Sequence, residues 1–365
     1  MKIFLSGDVM TGRGIDQILP HPSNPHLFEP YVRDAREYIS IAENRNGPIP
    51  CPVSYDYIWG DALSQLQNES IDVRLINLET SITQSENYWP GKGINYRMNP
   101  ENIRSISVAG VDCCVLSNNH ILDWGYDGLF DTLLTLERSS IAHAGAGLNS
   151  NDAFEPVIID CSKNERVVIF ALGAEDSGIT LKWEATGSKA GIALIRNFSE
   201  LEAQKIADNV KKVRRKNDYV ILSIHWGDNW GYEIPQAHIE FAHLLIDKCG
   251  IDCVHGHSSH HAKGIEVYQN KLILYGCGDL INDYEGIYGY EEFKADLSLL
   301  YILTVNEFGQ LQGCKLIPMK MFRFRLNLAN TVECQWFTEM FRGPAYIKGT
   351  DVVVTDGNFL QLRGT

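Results

Sequence analysis

Five short apolar runs in this chain each stop at a residue whose side chain can ligate a metal. They are residues 2–8 (KIFLSGD), 73–79 (VRLINLE), 111–120 (VDCCVLSNNH), 219–225 (YVILSIH) and the run that enters 252–263 (DCVHGHSSHHAK). Runs of this length, rich in Val, Ile and Leu and separated by helix-length stretches, read as strands of a sheet covered on both faces. In such sheets a ligand lies in the crevice beyond the carboxyl ends of the strands, which is where Asp8, Glu79, Asn119, His120, His225 and His257 would sit. The last run is the densest, with His255, His257, His260 and His261 inside seven positions. A wet histidine-rich loop would explain that segment alone. A packed core would not, because each buried imidazole nitrogen needs a partner, and the other four runs tip the balance toward metal.

The 365 residues suffice for one large domain or two ordinary ones. A formal net charge of -14 and the lack of a basic stripe exclude nucleic acid as a partner. Nine cysteines without a CxxC pair indicate neither a disulfide framework nor a structural zinc site. The amino terminus enters the first strand directly, and no run approaches membrane-spanning length, so a cytoplasmic protein without a membrane partner is expected.

Helices are expected at 61–68, 102–109, 128–139, 201–215 and 236–248, and the alternating stretches from 297 onward read as further sheet. The polar, proline-rich segment 19–54 reads as an insertion over the crevice. Arg13, five residues past Asp8, is either an anion clamp or a plain surface arginine. Asp123, three residues past His120, could orient the imidazole, bind a hydroxyl or merely cap a helix. Trp226 follows His225 at a strand end and is a candidate substrate contact, as is Asn118. The glycine-rich turn at 143–147 matches no nucleotide-binding pattern.

A crevice holding Asp8, Glu79, Asn119, His225, His257 and His260, with His120 beside them, mixes carboxylate, amide oxygen and imidazole. That mixture suits manganese, iron or zinc better than magnesium or calcium. The ordered set GD (Gly7, Asp8), NLE (Asn77–Glu79), NNHxxDxG (Asn118–Gly125), HWG (His225–Gly227) and GHxxH (Gly256–His260) resembles the CapA family of poly-γ-glutamate capsule synthesis proteins. That family is similar to the calcineurin-like metallophosphoesterases. The resemblance covers about the first 300 residues, and it implies a four-layer α/β/β/α sandwich over residues 1–305, completed by a β-rich extension at 306–365. It also implies two divalent metal ions: Asp8 and His260 on the first, Asn119, His225 and His257 on the second, and Glu79 bridging. His120 would be the general acid, and Arg13 would clamp an anion. Met10 stands where related enzymes carry a histidine, Ser258 and Ser259 interrupt the last motif, and His255 and His261 are additional to it. The function implied is hydrolysis of a phosphate ester, on a small or oligomeric anionic substrate, by metal-bound hydroxide. The alternatives are hydrolysis of a γ-glutamyl or other amide bond, and a non-catalytic role in poly-γ-glutamate binding or synthesis.

Overall fold

In the computed structural model, which describes residues 1–161, 165–355 and 358–363, the apolar runs pair into two large sheets. Strand Lys2–Val9 lies between the parallel strand Val73–Leu78 and the antiparallel strand Leu297–Val305. Cys113–Val115 and Ala142–Ala144 continue the sheet on one side. Leu311–Met321, Phe359–Arg363 and Asp351–Thr355 continue it on the other, and two short strands, Asp279–Ile281 and Leu326–Leu328, bring it to ten. The second sheet has seven strands, with Arg166–Ala174, Asp218–His225 and Cys253–His257 parallel at its centre.

Alternation along the strands sorts the apolar side chains into three interfaces. Ile3 and Leu5 turn inward with Val73, Leu75, Ile169 and Ile221 to fill the space between the sheets. Phe4 and Ile76 turn the other way, onto Ile15, Leu66, Leu129 and Leu136 of the covering helices. Val168, Phe170, Val220 and Leu222 face helices Glu200–Val213 and Gln236–Cys249 through Ala203, Ile206, Phe241 and Leu245. The chain is therefore the four-layer α/β/β/α sandwich that was expected. Each fully buried Val, Leu, Ile or Phe contributes about 1.5 to 3 kcal/mol, and a one-residue slip would turn Ile3 and Leu5 out of the inter-sheet core, so register is strongly specified.

Helix Asp61–Asn68 falls where its periodicity placed it, whereas residues 102–109 supply only the short helix Arg104–Ser107. The segment 19–54 contains the helix Arg36–Asn46, which buries only Tyr38 and Ala42 and so has too narrow an apolar face to show in the sequence. The stretch after residue 306, expected to be sheet, also holds helix Thr331–Arg342. A capping box between Asn330 and Glu333 opens that helix, and Phe337, Met340 and Phe341 seat it in the inter-sheet core. Among the described residues no helix is long and apolar enough to cross a membrane.

Candidate metal centre

The carboxyl end of strand Lys2–Val9 sets the geometry of the site. Gly7 approaches the neighbouring chain so closely that a Cβ there would lie 1.6 Å from the Gly278 carbonyl oxygen. Only glycine permits that approach, and it lets the Asp8 amide donate to Gly278 O at 2.9 Å. Asp8 is thereby brought into parallel register with Asp279. Asp279 was not among the ligands picked from the sequence, although CGD at 277–279 repeats the SGD of 6–8 at the end of its own apolar run.

Two ligand clusters meet at Asp8. Asp8, His225 and His257 form one, and Asp8, His260 and Asp279 the other, with one ligand atom from each residue within 4.8 Å of the rest in both. His225 and His257 end adjacent parallel strands as register partners, their Nδ1 atoms 2.9 Å apart. His260 Nδ1 lies 2.9 Å from Asp279 Oδ1, and Asn282 donates to the other Asp279 oxygen at 3.0 Å. Glu79 Oε1 is 3.9 Å from His225 Nε2 and 3.6 Å from His120 Nε2. The resemblance implies that Glu79 bridges; Asp8 is the residue common to both clusters, with Glu79 beside His225 and His120. Asp279 joins Asp8 and His260 on the side where Met10 stands in place of a histidine; the Met10 sulfur, in the core, faces the Tyr284 hydroxyl at 3.8 Å.

A relay of side chains holds these groups. Asn77 donates to Asp8 Oδ1 at 2.7 Å, Asn118 donates to Asn77 Oδ1 at 3.0 Å, and the His120 amide donates to Asn118 Oδ1 at 3.1 Å. Asn118 is thus a spacer between ligands, fully buried, and not the substrate contact expected of it. His120 Nδ1 lies 2.6 Å from Asp123 Oδ2, which leaves Nε2 turned toward Glu79. Asp123 is placed to orient the ring, one of its three sequence readings. A residue outside every motif completes the group: Lys92 Nζ donates to Asp123 Oδ1 at 2.5 Å and lies 2.8 Å from His120 Nδ1.

Other candidates sit elsewhere. Arg13 is buried and forms a bidentate pair with Asp283, with Tyr38 and Glu29 taking another nitrogen at 2.9 and 3.4 Å, so four of its five N–H donors go to protein groups. Trp226 is one residue past His225, and alternation turns it to the opposite face, where it stacks on His238 and donates to the Tyr275 carbonyl at 2.9 Å. That places it in the helix-side core rather than against a substrate; Trp230, stacked on Tyr290 with centroids 3.9 Å apart, lies beside His260 instead. His255 is bonded through Nδ1 to Ser223 Oγ and through Nε2 to the Ser6 carbonyl, and it ties the sheets together. His261 is stacked against Phe293 at 4.5 Å.

The electrostatics fit a cation. Burial, and then Asp279, push the Asp8 carboxyl up to about 7; burial, and then Asp8, hold Glu79 well above the usual carboxylate range. Burial lowers His225 and His257 far below the ordinary imidazole value, so both are neutral, the form that ligates metal. Burial opposes charge on His260 too, but Asp279 and Asp8 outweigh it and raise its value. Burial takes His120 down to about 4 against the pull of Asp123. Three candidate ligand atoms, Glu79 Oε2, Asn119 Oδ1 and His225 Nε2, are buried without a hydrogen-bond partner among the described residues. Groups left that way are costly unless a ligand satisfies them, so the residues present fit divalent metal. A cavity of about 780 Å³ opens past His260, walled by Tyr38, Trp230, Tyr284 and Tyr290 and reaching Arg13.

Fold and centre together define a four-layer α/β/β/α protein with a cluster of carboxylates and histidines at the strand ends that could hold metal. The chain belongs to the family of bacterial capsule synthesis proteins designated PGA_cap, whose profile matches residues 2–284. A Mycobacterium tuberculosis protein named as a probable polyglutamine synthesis accessory protein is 43% identical over 99% of this chain and 96% of its own. The CapA protein of Bacillus subtilis, named for PGA biosynthesis, is 23% identical over 84% of this chain and 68% of its own. Among solved structures, a Mycoplasma pneumoniae phosphatase is matched at a TM-score of 0.45 and 11% identity, over 88% of this chain and 93% of that one.

Proposed function

We propose that the protein is a metal-dependent hydrolase of a phosphate ester, with two divalent cations seated in the clusters that share Asp8. The observation that carries this is the set of buried, unpartnered ligand atoms around two adjoining clusters. In this reading Asp8, His260 and Asp279 hold one ion, and Asp8, His225 and His257 hold the other, with Glu79 and Asn119 completing the set. Carboxylate, amide oxygen and imidazole favour manganese, iron or zinc. When bound, such ions supply Lewis-acid stabilisation to the oxygens of a phosphoryl group and template an in-line displacement by water.

The protein's own groups do the rest. His120, its ring fixed by Asp123 and its Nε2 turned to the centre, protonates the leaving oxygen. The adjoining cavity receives the organic part of the anionic substrate. Nine unpaired cysteines favour a reducing, cytoplasmic setting. The test is turnover of p-nitrophenyl phosphate and its diester by metal-free protein reloaded with manganese, iron(II) or zinc. Turnover that a chelator abolishes supports the proposal; none by protein holding two ions contradicts it.

The names of the relatives favour a second reading, in which the same centre acts on, or merely binds, a glutamate polymer. Release of glutamate from a γ-linked oligomer, with phosphate esters untouched, selects amide hydrolysis. Tight binding without release selects a non-catalytic role.

A further inference from the structure

We propose that Lys92 is the positioning residue of His120: from a loop tip it clamps the Asp123 carboxylate and thereby fixes the ring with Nε2 toward the metal centre. The inference rests on the phosphoesterase reading above.

Strands Ser81–Ile82 and Arg97–Met98 bracket a loop whose tip reads Trp89-Pro90-Gly91-Lys92-Gly93. Gly91 has φ +81, and neither Gly91 nor Gly93 would meet any atom within 4 Å of an added Cβ, so the backbone on both sides of Lys92 stands in the open. The Lys92 side chain turns inward, as Trp89 does against Trp183, and is 18% exposed.

Three contacts from this loop converge on one residue. The Trp89 amide donates to the Asp123 carbonyl at 2.7 Å, the Tyr96 amide donates to Asp123 Oδ2 at 2.7 Å, and Lys92 Nζ donates to Asp123 Oδ1 at 2.5 Å. Asp123 is fully buried, and a buried carboxylate is costly without a counter-charge. Lys92 provides that charge. With Oδ1 held by Lys92 and Oδ2 by Tyr96, the carboxylate plane cannot rotate, and His120 Nδ1, 2.6 Å from Oδ2, has one orientation to adopt. The face of Trp183, 5.6 Å from Nζ, backs the ammonium.

The step that depends on this geometry is the departure of the alcohol. Water forms the new bond to phosphorus and gives up a proton, which His120 Nε2 takes up through solvent and passes to the ester oxygen as the bond from phosphorus to that oxygen breaks, leaving alcohol and phosphate.

An alkyl leaving group needs that proton and a p-nitrophenyl group scarcely does, which separates positioning from general damage. In metal-loaded Lys92→Met, kcat on an alkyl phosphate is expected to fall about 100-fold, the low end of what a placed general acid supplies. KM, metal content and turnover of the p-nitrophenyl ester should hold within about threefold, and Lys92→Arg should recover most of the loss. Equal loss on both esters, a change in KM alone, or no change would overturn the assignment. If the unaltered protein cleaves neither ester, the phosphoesterase reading fails by itself. The crystal structure of Lys92→Met still decides the positioning: an undisturbed contact between His120 Nδ1 and Asp123 overturns it, and a displaced ring supports it.

Discussion

Asp8 and Asp279 stand opposite one another on adjacent parallel strands, two buried carboxylates brought together by the close approach of Gly7 to Gly278. Burial, and then the charge of Asp279 beside it, raise the affinity of Asp8 for a proton. A divalent cation between them removes the penalty, and this couples metal, pH and stability.

In chelator-treated protein the Asp8 carboxyl titrates at about 7 against an ordinary value of 3.8, so the native state holds an extra proton across that interval. The stability from this group is complete below about pH 4 and is lost as pH rises through about 7. Calorimetry at fixed ionic strength should show that loss in metal-free protein and its removal by added manganese. A metal-free profile that is flat over the interval would contradict the assignment.

Asn77 joins Asp8 to Asn118, donating to the first and accepting from the second. Asn77→Ala is expected to weaken metal binding about 10- to 100-fold, the usual cost of losing a group that orients a ligand. It should also lower stability by about 1 to 3 kcal/mol, because the Asn118 amide loses a buried acceptor. Competition against a chelating dye measures the first effect and denaturant unfolding the second.

The histidine-rich run divides into two kinds of residue. His255→Ala leaves the Ser6 carbonyl without its imidazole partner, while Ser223 Oγ keeps His257 Nε2 at 2.8 Å, and should cost about 1 to 3 kcal/mol while leaving metal content unchanged. His257→Ala should lower metal content, since His257 belongs to a cluster with Asp8 and His225. Metal analysis of the two variants side by side separates them, and equal loss from both would refute the division.

The sandwich and most of the centre were legible because strands covered on both faces show as short apolar runs, and the chemistry sits where those runs stop. What escaped lies in contacts between distant parts of the chain. Asp279 follows a run broken by Gly276 and Gly278, and only pairing with the first strand reveals that it adjoins Asp8. Lys92 lies in a loop with no periodicity, and its value comes from Asp123, 31 positions away. Arg13 looked like an anion clamp because its partner, Asp283, is 270 positions along. Trp226 could have been placed from sequence alone, since strand alternation turns it away from His225.

Metal content per chain, measured by plasma mass spectrometry on untagged protein purified without chelator, tests the shared centre most directly. Two equivalents of manganese, iron or zinc are expected, with one in Asp279→Asn and none in Asp8→Ala, because Asp8 belongs to both clusters and Asp279 to one. Two equivalents retained in Asp8→Ala, or no metal in the unaltered protein after reconstitution, would contradict a dinuclear centre built on Asp8.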